Sequence, residues 1–170
     1  MPSTFIIIGV SGAGKTTVAQ EMESRGDLVL HDFEDVFAEL VGEDASTYLV
    51  RNGEKAYEAE ALKVARNLLD QEGVVVLAPG VVREDEIRNQ ILKKRDEGAV
   101  VVELFADTST LMRRTGLNAP RSVALGPTRR ILTEMVAQYR ESYEGLADLV
   151  IDTSLSKPQY VADRILAFEA

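Results

Sequence analysis

The stretch Gly9-Val10-Ser11-Gly12-Ala13-Gly14-Lys15-Thr16 fits the pattern G-x-x-x-x-G-K-[ST], which forms a phosphate-binding loop, or P-loop. A short apolar run rich in β-branched residues, Thr4 to Ile8, precedes it, and a helix is expected to begin near Lys15. Glycines let backbone N–H groups surround an anion, and the positive end of the helix dipole points at the same anion. This strand, loop and helix predict a phosphate site at the start of an α/β fold.

Further apolar runs of strand length follow, and the sequence between them is long enough for crossover helices. These runs are Leu28 to Leu30, Val74 to Ala78, Ala99 to Phe105 and Leu149 to Ile151. Apolar residues at helical spacing predict helices over Tyr57 to Leu69, from Thr128 to Tyr143, and from about Pro158 to Phe168. We expect one domain, residues 1–170, built as a doubly wound sheet with helices on both faces.

The composition excludes several kinds of partner. Asp and Glu number 28 against 19 Lys and Arg, and this acidic balance would repel a nucleic-acid backbone. No apolar run approaches the roughly 20 residues that span a bilayer. The chain has no cysteine, which excludes disulfides and thiolate metal sites. We expect a cytoplasmic monomer that binds neither nucleic acid nor membrane.

The motif and the acids after the second strand predict the chemistry. Lys15 is expected to reach the β- and γ-phosphates of a nucleotide, and the Thr16 hydroxyl to ligate Mg²⁺. Because the third strand ends without an aspartate, Asp32 is the candidate to complete the metal shell, through water. Glu34 could accept the proton of an attacking hydroxyl. The alternative is that Asp32 only caps a helix. The expected nucleotide contacts in the loop are Gly12, Ala13, Gly14, Lys15, Thr16 and Thr17.

Residues 116–127 form a long connection without helical periodicity, and we expect them to act as a lid over the phosphate site.

Taken together, these motifs resemble shikimate kinase, from the first strand to the last helix. The shared features are the P-loop, the acids Asp32 and Glu34, Gly53-Glu54, the run Arg113-Arg114-Thr115-Gly116 with Asn118 and Arg121, and Asp152-Thr153. The resemblance implies a five-stranded parallel sheet of the nucleoside monophosphate kinase type, a mobile lid, ATP as donor and a small hydroxyl compound as acceptor. By position, Arg121 matches the lid arginine that reaches the transferring phosphate, and Arg114 and Pro158 match the pair that sandwiches adenine.

The acceptor half, which includes about residues 32–58, departs from the family pattern. Glu58 follows Tyr57 where the family has an arginine, and Ala78-Pro79-Gly80 replaces three glycines. Tyr139 also stands where an arginine is expected; Arg140, next in line, could replace it only if the backbone shifts. The expected acceptor contacts are Glu34, Glu58, Gly80, Tyr139 and Arg140.

These departures predict a kinase whose acceptor is a neutral or amine-bearing hydroxyl compound. Shikimate itself is the alternative acceptor. A nucleotide kinase would need arginines for acceptor phosphates, for which the chain offers Arg51, Arg83, Arg88 and Arg140. A further alternative, of another class, is a module that binds or hydrolyses ATP without an acceptor.

Overall fold

Five parallel strands form the sheet, in the order β2-β3-β1-β4-β5. The computed structural model describes residues 2–116 and 125–168. The strands are β1 Thr4–Gly9, β2 Leu30–Asp32, β3 Gly73–Val76, β4 Val100–Phe105 and β5 Leu149–Asp152. The predicted five-stranded parallel α/β fold is confirmed.

Helices connect the strands and cover the sheet. They are α1 Lys15–Ser24, α2 Phe33–Val41, α3 Ala45–Asn52, α4 Glu54–Leu69, α5 Asp85–Asp96, α6 Thr108–Arg114, α7 Leu125–Tyr143 and α8 Pro158–Leu166, with a 3₁₀ helix at Pro79–Arg83. Helix α1 packs against α8 and contacts β3, while α4 packs against α5, which contacts β4. Within the described ranges, no helix combines the length and apolarity that crossing a bilayer requires.

The central strand β1 carries the P-loop at its carboxyl end. It pairs with β3 on one side and β4 on the other, so that Ile6 lies between Val75 and Val101. The four residues Phe5 to Ile8 are fully buried, as expected of a strand covered on both faces by helices. The loop that follows therefore starts from the buried centre of the sheet.

Strand β2 lies two residues later than the apolar run predicts. The hydrogen-bonded ladder joins Leu30 to Val74 and Asp32 to Val76, whereas Val29 is 59% exposed. An apolar run predicts that a strand is present, but the pairing with β3 decides where that strand begins and ends. As a result, Asp32 ends β2 and also precedes the first residue of α2, which places its carboxylate at the carboxyl edge of the sheet.

The predicted lid, residues 116–127, lies mostly outside the described residues. Helix α7 begins at Leu125, so Gly126 and Pro127 belong to its first turn. Proline is compatible with the first turn of a helix, because the N–H groups there have no partner within the helix. Arg121 also lies outside the described residues, and its role as the lid arginine stays a prediction.

Candidate active site

The P-loop has a backbone that only glycine can adopt at its two ends. A Cβ on Gly9 would lie 2.3 Å from the carbonyl oxygen of Leu104, since β4 passes directly beside it. Gly14 has φ of 96° and is the N-cap of α1. The glycines thus let the chain turn sharply from β1 into α1. The loop borders a cavity of about 280 Å³ that the Lys15, Thr16 and Asp32 side chains also line.

The Lys15 ammonium lies against the P-loop itself. Its Nζ donates hydrogen bonds to the carbonyl oxygens of Gly9, at 2.8 Å, and Val10, at 2.9 Å. Burial lowers the pKa of Lys15 to about 8, and the carboxylates of Asp32 and Glu34 partly oppose that shift. At neutral pH the side chain therefore keeps its positive charge, next to the cavity that the loop borders.

Asp32 has a separate partner for each of its carboxylate oxygens. The Thr16 hydroxyl donates to Oδ2 at 2.5 Å, and the Glu34 backbone N–H donates to Oδ1 at 3.0 Å, which caps α2. The two hypotheses for Asp32, metal shell and helix cap, are therefore compatible. Because the Thr16 hydroxyl gives its hydrogen to Asp32, its lone pairs are free to face the cavity.

These oxygens suit Mg²⁺, which prefers hard oxygen donors. Thr16 and Asp32 supply a hydroxyl and a carboxylate side by side, at the mouth of the P-loop. Elsewhere in the described part of the chain, no group of three or more carboxylates or imidazoles could hold a metal ion. A magnesium ion at this site would thus take its remaining ligands from phosphates and water, as Mg²⁺ commonly does.

Glu34 lies on the same cavity as Lys15 and Asp32. Partial burial raises the pKa of Glu34 above its ordinary value, as does the nearby Asp32 carboxylate, while Lys15 partly opposes the rise. A carboxylate with a raised pKa accepts a proton from a hydroxyl more readily than an ordinary surface glutamate. The geometry is compatible with the predicted role of Glu34 as general base.

Replacing Asp32 with asparagine should raise the Mg²⁺ concentration needed for half-maximal activity by about 10- to 100-fold. The amide keeps one oxygen for the cap, but its NH₂ group can only donate, so the Thr16 hydroxyl would have to accept and turn its hydrogen toward the metal. Asparagine caps helices well, so the thermal unfolding temperature should change little.

The measurement is a Mg²⁺ titration of activity at saturating nucleotide. Asp107→Asn is the matched control, since Asp107 caps α6 by accepting from the Thr110 N–H. An unchanged titration for Asp32→Asn would leave Asp32 as a helix cap alone.

Arg114 and Pro158 line one cavity of about 390 Å³ beside the P-loop, as their proposed adenine contacts require. The Arg114 guanidinium donates to the Gly12 carbonyl at 3.1 Å, and to the Thr153 hydroxyl and carbonyl at 3.0 and 2.7 Å. It therefore also ties the P-loop to the turn after β5. Its stacking on adenine stays a prediction.

Thr153 is a residue of this cavity whose role the motifs do not predict. Its side chain is 3% exposed, and its hydroxyl donates to the Ala13 carbonyl at 2.6 Å while accepting from Arg114. The available signals are the shared pair Asp152-Thr153 and the position of Thr153 directly after the last strand, at the edge where open α/β sheets bind ligands. Thr153 fixes the P-loop from outside the motif.

Another cavity, of about 450 Å³, contains several of the predicted acceptor residues. It lies beside the cavity lined by Lys15, Thr16 and Asp32, which we call the phosphate cavity. Glu58, Gly80 and Tyr139 line the cavity of about 450 Å³, whereas Glu34 lines the phosphate cavity instead. The segment after β3 joins the two: Ala78 and Pro79 border the phosphate cavity, and Gly80 and Val81 border the other one. We call the cavity of about 450 Å³ the acceptor cavity. Its remaining lining side chains are Leu49, Glu54, Tyr57, Ala61, Leu62, Arg83 and Glu84.

Arg140, an expected acceptor contact, does not line the acceptor cavity. Its Nε donates to Glu103 at 2.8 Å, and its guanidinium lies over the Phe105 ring at 4.1 Å. Glu103 points out of the apolar strand β4 and is 5% exposed. A carboxylate buried in this way requires a partner, because an unpaired buried charge costs about 3–5 kcal/mol. Arg140 supplies that partner and cannot replace the arginine expected at Tyr139.

Comparisons with known proteins agree with this geometry. A family model for shikimate kinase matches residues 11–169, which is nearly the whole chain. The chain belongs to the shikimate kinase family. A shikimate kinase from Thermobifida fusca is 31% identical over 161 residues, covering 94% of this chain and 91% of that protein. A shikimate kinase from Rhodococcus jostii is 29% identical over 169 residues and covers 98% of each.

Solved structures show the same fold. A shikimate kinase from Acinetobacter baumannii, in complex with shikimate, superposes with a TM-score of 0.76 at 21% identity, covering 98% of this chain and 91% of that one. Family membership makes the chain an ATP-dependent phosphotransferase with a hydroxyl group as acceptor. The finer identity of that acceptor depends on the acceptor cavity.

Proposed function

We propose that this protein transfers the γ-phosphoryl group of ATP to a hydroxyl of shikimate. The observation that carries the proposal is the adjacency of the phosphate cavity and the acceptor cavity along the segment Ala78 to Val81. A small acceptor in the acceptor cavity would thus lie next to a nucleotide phosphate held by the P-loop. The relatives that match 94% or more of the chain support shikimate as that acceptor.

The proposal chooses shikimate, the alternative acceptor, over the neutral or amine-bearing compound that the sequence predicts. Glu58 and Tyr139 do stand where arginines are expected, and both line the acceptor cavity. The comparisons give no support for a changed acceptor, however, since the full-length relatives are shikimate kinases. A positive charge is also available in the cavity from another residue, Arg83, which the motif comparison does not single out.

The proposed reaction assigns roles to the polar side chains Lys15, Thr16, Asp32 and Glu34 of the phosphate cavity. The acceptor hydroxyl oxygen bonds to the γ-phosphorus, the bond from that phosphorus to the β,γ-bridging oxygen breaks, and ADP leaves. Glu34 takes the hydroxyl proton. Lys15 and the backbone N–H groups of the P-loop hold the phosphates and offset their charge. Thr16 and Asp32 would hold Mg²⁺, which when bound neutralises charge on the phosphate oxygens.

A neutral or amine-bearing acceptor is the second candidate, and one observation favours it. Three glutamates line the acceptor cavity, Glu54, Glu58 and Glu84, against one arginine. An acidic cavity attracts a cation and repels a carboxylate, so the lining charges alone favour an amino alcohol or a neutral polyol.

We expect the native protein to phosphorylate shikimate with kcat/KM of about 10⁴ M⁻¹s⁻¹ or above, an ordinary enzyme efficiency. The measurement is coupled ADP release with shikimate, neutral polyols and amino alcohols, each corrected for ADP release without acceptor. A Glu58→Arg, Tyr139→Arg double variant is assayed in parallel. If shikimate is turned over only by the double variant, or the native chain prefers a neutral polyol or an amino alcohol, the second candidate is correct. ADP release that no acceptor increases would instead indicate an ATP-hydrolysing module.

A further inference from the structure

Arg83 presents a guanidinium inside the acceptor cavity. It ends the 3₁₀ helix Pro79–Arg83, and its guanidinium carbon lies 4.5 Å from the centre of the Tyr139 ring. Arginine stacked in this way is held in place by its flat face, while the N–H groups at its edge stay available to a ligand. Within residues 2–116 and 125–168, no carboxylate lies within ion-pair distance of this guanidinium.

The other arginines considered for an acceptor anion are engaged elsewhere. Arg51 pairs with Glu43 at 2.8 Å, and Arg88 donates to the Ser142 carbonyl. Arg140 is bound to the buried Glu103. Among the described residues, Arg83 is therefore the cation that lines the acceptor cavity.

We propose that Arg83, stacked on Tyr139, binds the carboxylate of the acceptor and selects acids over their uncharged analogues. This inference rests on the proposed function for the identity of the acid. The planar guanidinium can donate two parallel hydrogen bonds to a carboxylate, a geometry that lysine does not offer. The positive charge expected at position 139 is thus delivered by a residue of a different element, and Tyr139 provides the surface on which it rests.

The segment that carries Arg83 is anchored before any acceptor binds. The hydroxyl of Tyr143, one helical turn after Tyr139 on α7, donates to the Pro79 carbonyl at 3.3 Å. Tyr143 is 1% exposed, so this contact lies in the protein interior. Two tyrosines of α7 thus hold the two ends of the same 3₁₀ helix. A cation positioned in advance loses less conformational entropy when its ligand arrives.

Because the acceptor cavity is lined by acidic side chains, binding of a carboxylate there depends on the positive charge of Arg83. Glu54, Glu58 and Glu84 would repel a carboxylate, and Arg83 opposes that repulsion. Without Arg83 the cavity would present acidic charges alone. Removal of Arg83 should therefore weaken binding of the acid and leave an ester of the same compound almost unaffected.

The test uses Arg83→Ala and Arg83→Lys with two acceptors, shikimate and its methyl ester, which carries the same hydroxyls without the charge. We expect Arg83→Ala to raise KM for shikimate by about 10- to 150-fold, the range for losing a hydrogen bond to a charged group. KM for the ester and kcat for both acceptors should stay within about threefold. Arg83→Lys should restore only part of the loss, because the ammonium cannot form the paired bonds.

Two further variants separate the role of the ring from that of the charge. Tyr139→Leu should raise KM for shikimate more than Tyr139→Phe does, since only Tyr139→Leu removes the aromatic face. Arg66→Ala is the matched control, because Arg66 forms an exposed ion pair with Glu86 on the surface, outside the cavity. Surface pairs of this kind contribute little, so its kinetics should equal those of the native chain.

Equilibrium binding keeps this inference distinct from the proposed function. Shikimate and its methyl ester are titrated by calorimetry into native protein and Arg83→Ala, each saturated with a non-hydrolysable ATP analogue. If the native protein binds the acid no more tightly than the ester, or Arg83→Ala binds the acid equally well, the inference about Arg83 is wrong even where shikimate is turned over. If the acid binds through Arg83 but is not phosphorylated, the proposed function fails and the carboxylate site stands.

Discussion

Replacing Lys15 with alanine should lower kcat/KM for phosphoryl transfer by at least about 10³-fold. The ammonium is the side-chain positive charge of the P-loop, and its Nζ lies within 2.9 Å of two loop carbonyls, next to the place where phosphates would bind. Single preorganised groups that offset transition-state charge contribute about 10² to 10³ in kcat, and phosphate binding adds to that contribution. The measurement is coupled ADP release with shikimate at saturating Mg²⁺.

The fold should survive the loss of Lys15. Burial lowers its pKa, which means that the folded protein holds this charge at a cost. Removing the ammonium relieves that cost and gives up two hydrogen bonds to carbonyls. We expect the unfolding temperature to move by less than about 4 °C, the shift that roughly 1 kcal/mol produces in a domain of this size. Lys63→Ala, which removes a surface lysine paired with Glu60, is the control. Activity of Lys15→Ala within tenfold of the native value would contradict the P-loop assignment.

Arg121→Ala should lower kcat by about 10³- to 10⁵-fold, the range for an arginine that stabilises a transferring phosphoryl group. The expectation rests on the resemblance of the lid motif, since Arg121 lies outside the described residues. A lid arginine contributes only when it meets the charge that develops on the phosphate, so ATP affinity should change far less than kcat. The measurement combines steady-state kinetics with direct titration of a non-hydrolysable ATP analogue.

Arg130→Ala is the matched control for Arg121. Arg130 is an exposed arginine of α7, close in sequence but beyond the predicted lid. Its removal should leave both kcat and nucleotide affinity near the native values. A loss in Arg121→Ala that is confined to KM would show that Arg121 positions a substrate and does not stabilise the transition state.

The sequence could predict the phosphate half of the site because its determinants are local. The P-loop, the buried strand before it and the helix after it are contiguous, and the need for glycine at Gly14 follows from its positive φ. Asp32 could be placed at the right edge because the carboxyl ends of parallel strands share that edge. The predicted β2 was two residues too early, but Asp32 was still correctly placed at the carboxyl edge of the sheet.

The acceptor half could not be predicted from spacing, because its contacts join distant parts of the chain. Arg83 meets Tyr139 across the gap between the 3₁₀ helix and α7, and a one-residue rotation on α7 sends Arg140 to Glu103 instead. One signal was present: Glu103 interrupts the apolar strand Val100–Phe105, and a charge in such a strand requires a partner. It does not indicate which arginine supplies that partner.

Thr153 makes completion of the cavity lined by Arg114 and Pro158 a late event in synthesis of the chain. β1 and the P-loop emerge from the ribosome first. The neighbours of β1 in the sheet are synthesised later, since β3 begins at Gly73 and β4 at Val100. The hydroxyl that fixes Ala13 and accepts from Arg114 comes later still, after the last strand. Long-range contacts of this kind slow folding, because the intervening loops must close before the contacts form. A nascent chain that stops before residue 149 carries the complete Gly9 to Thr16 motif without the residue that holds it in place.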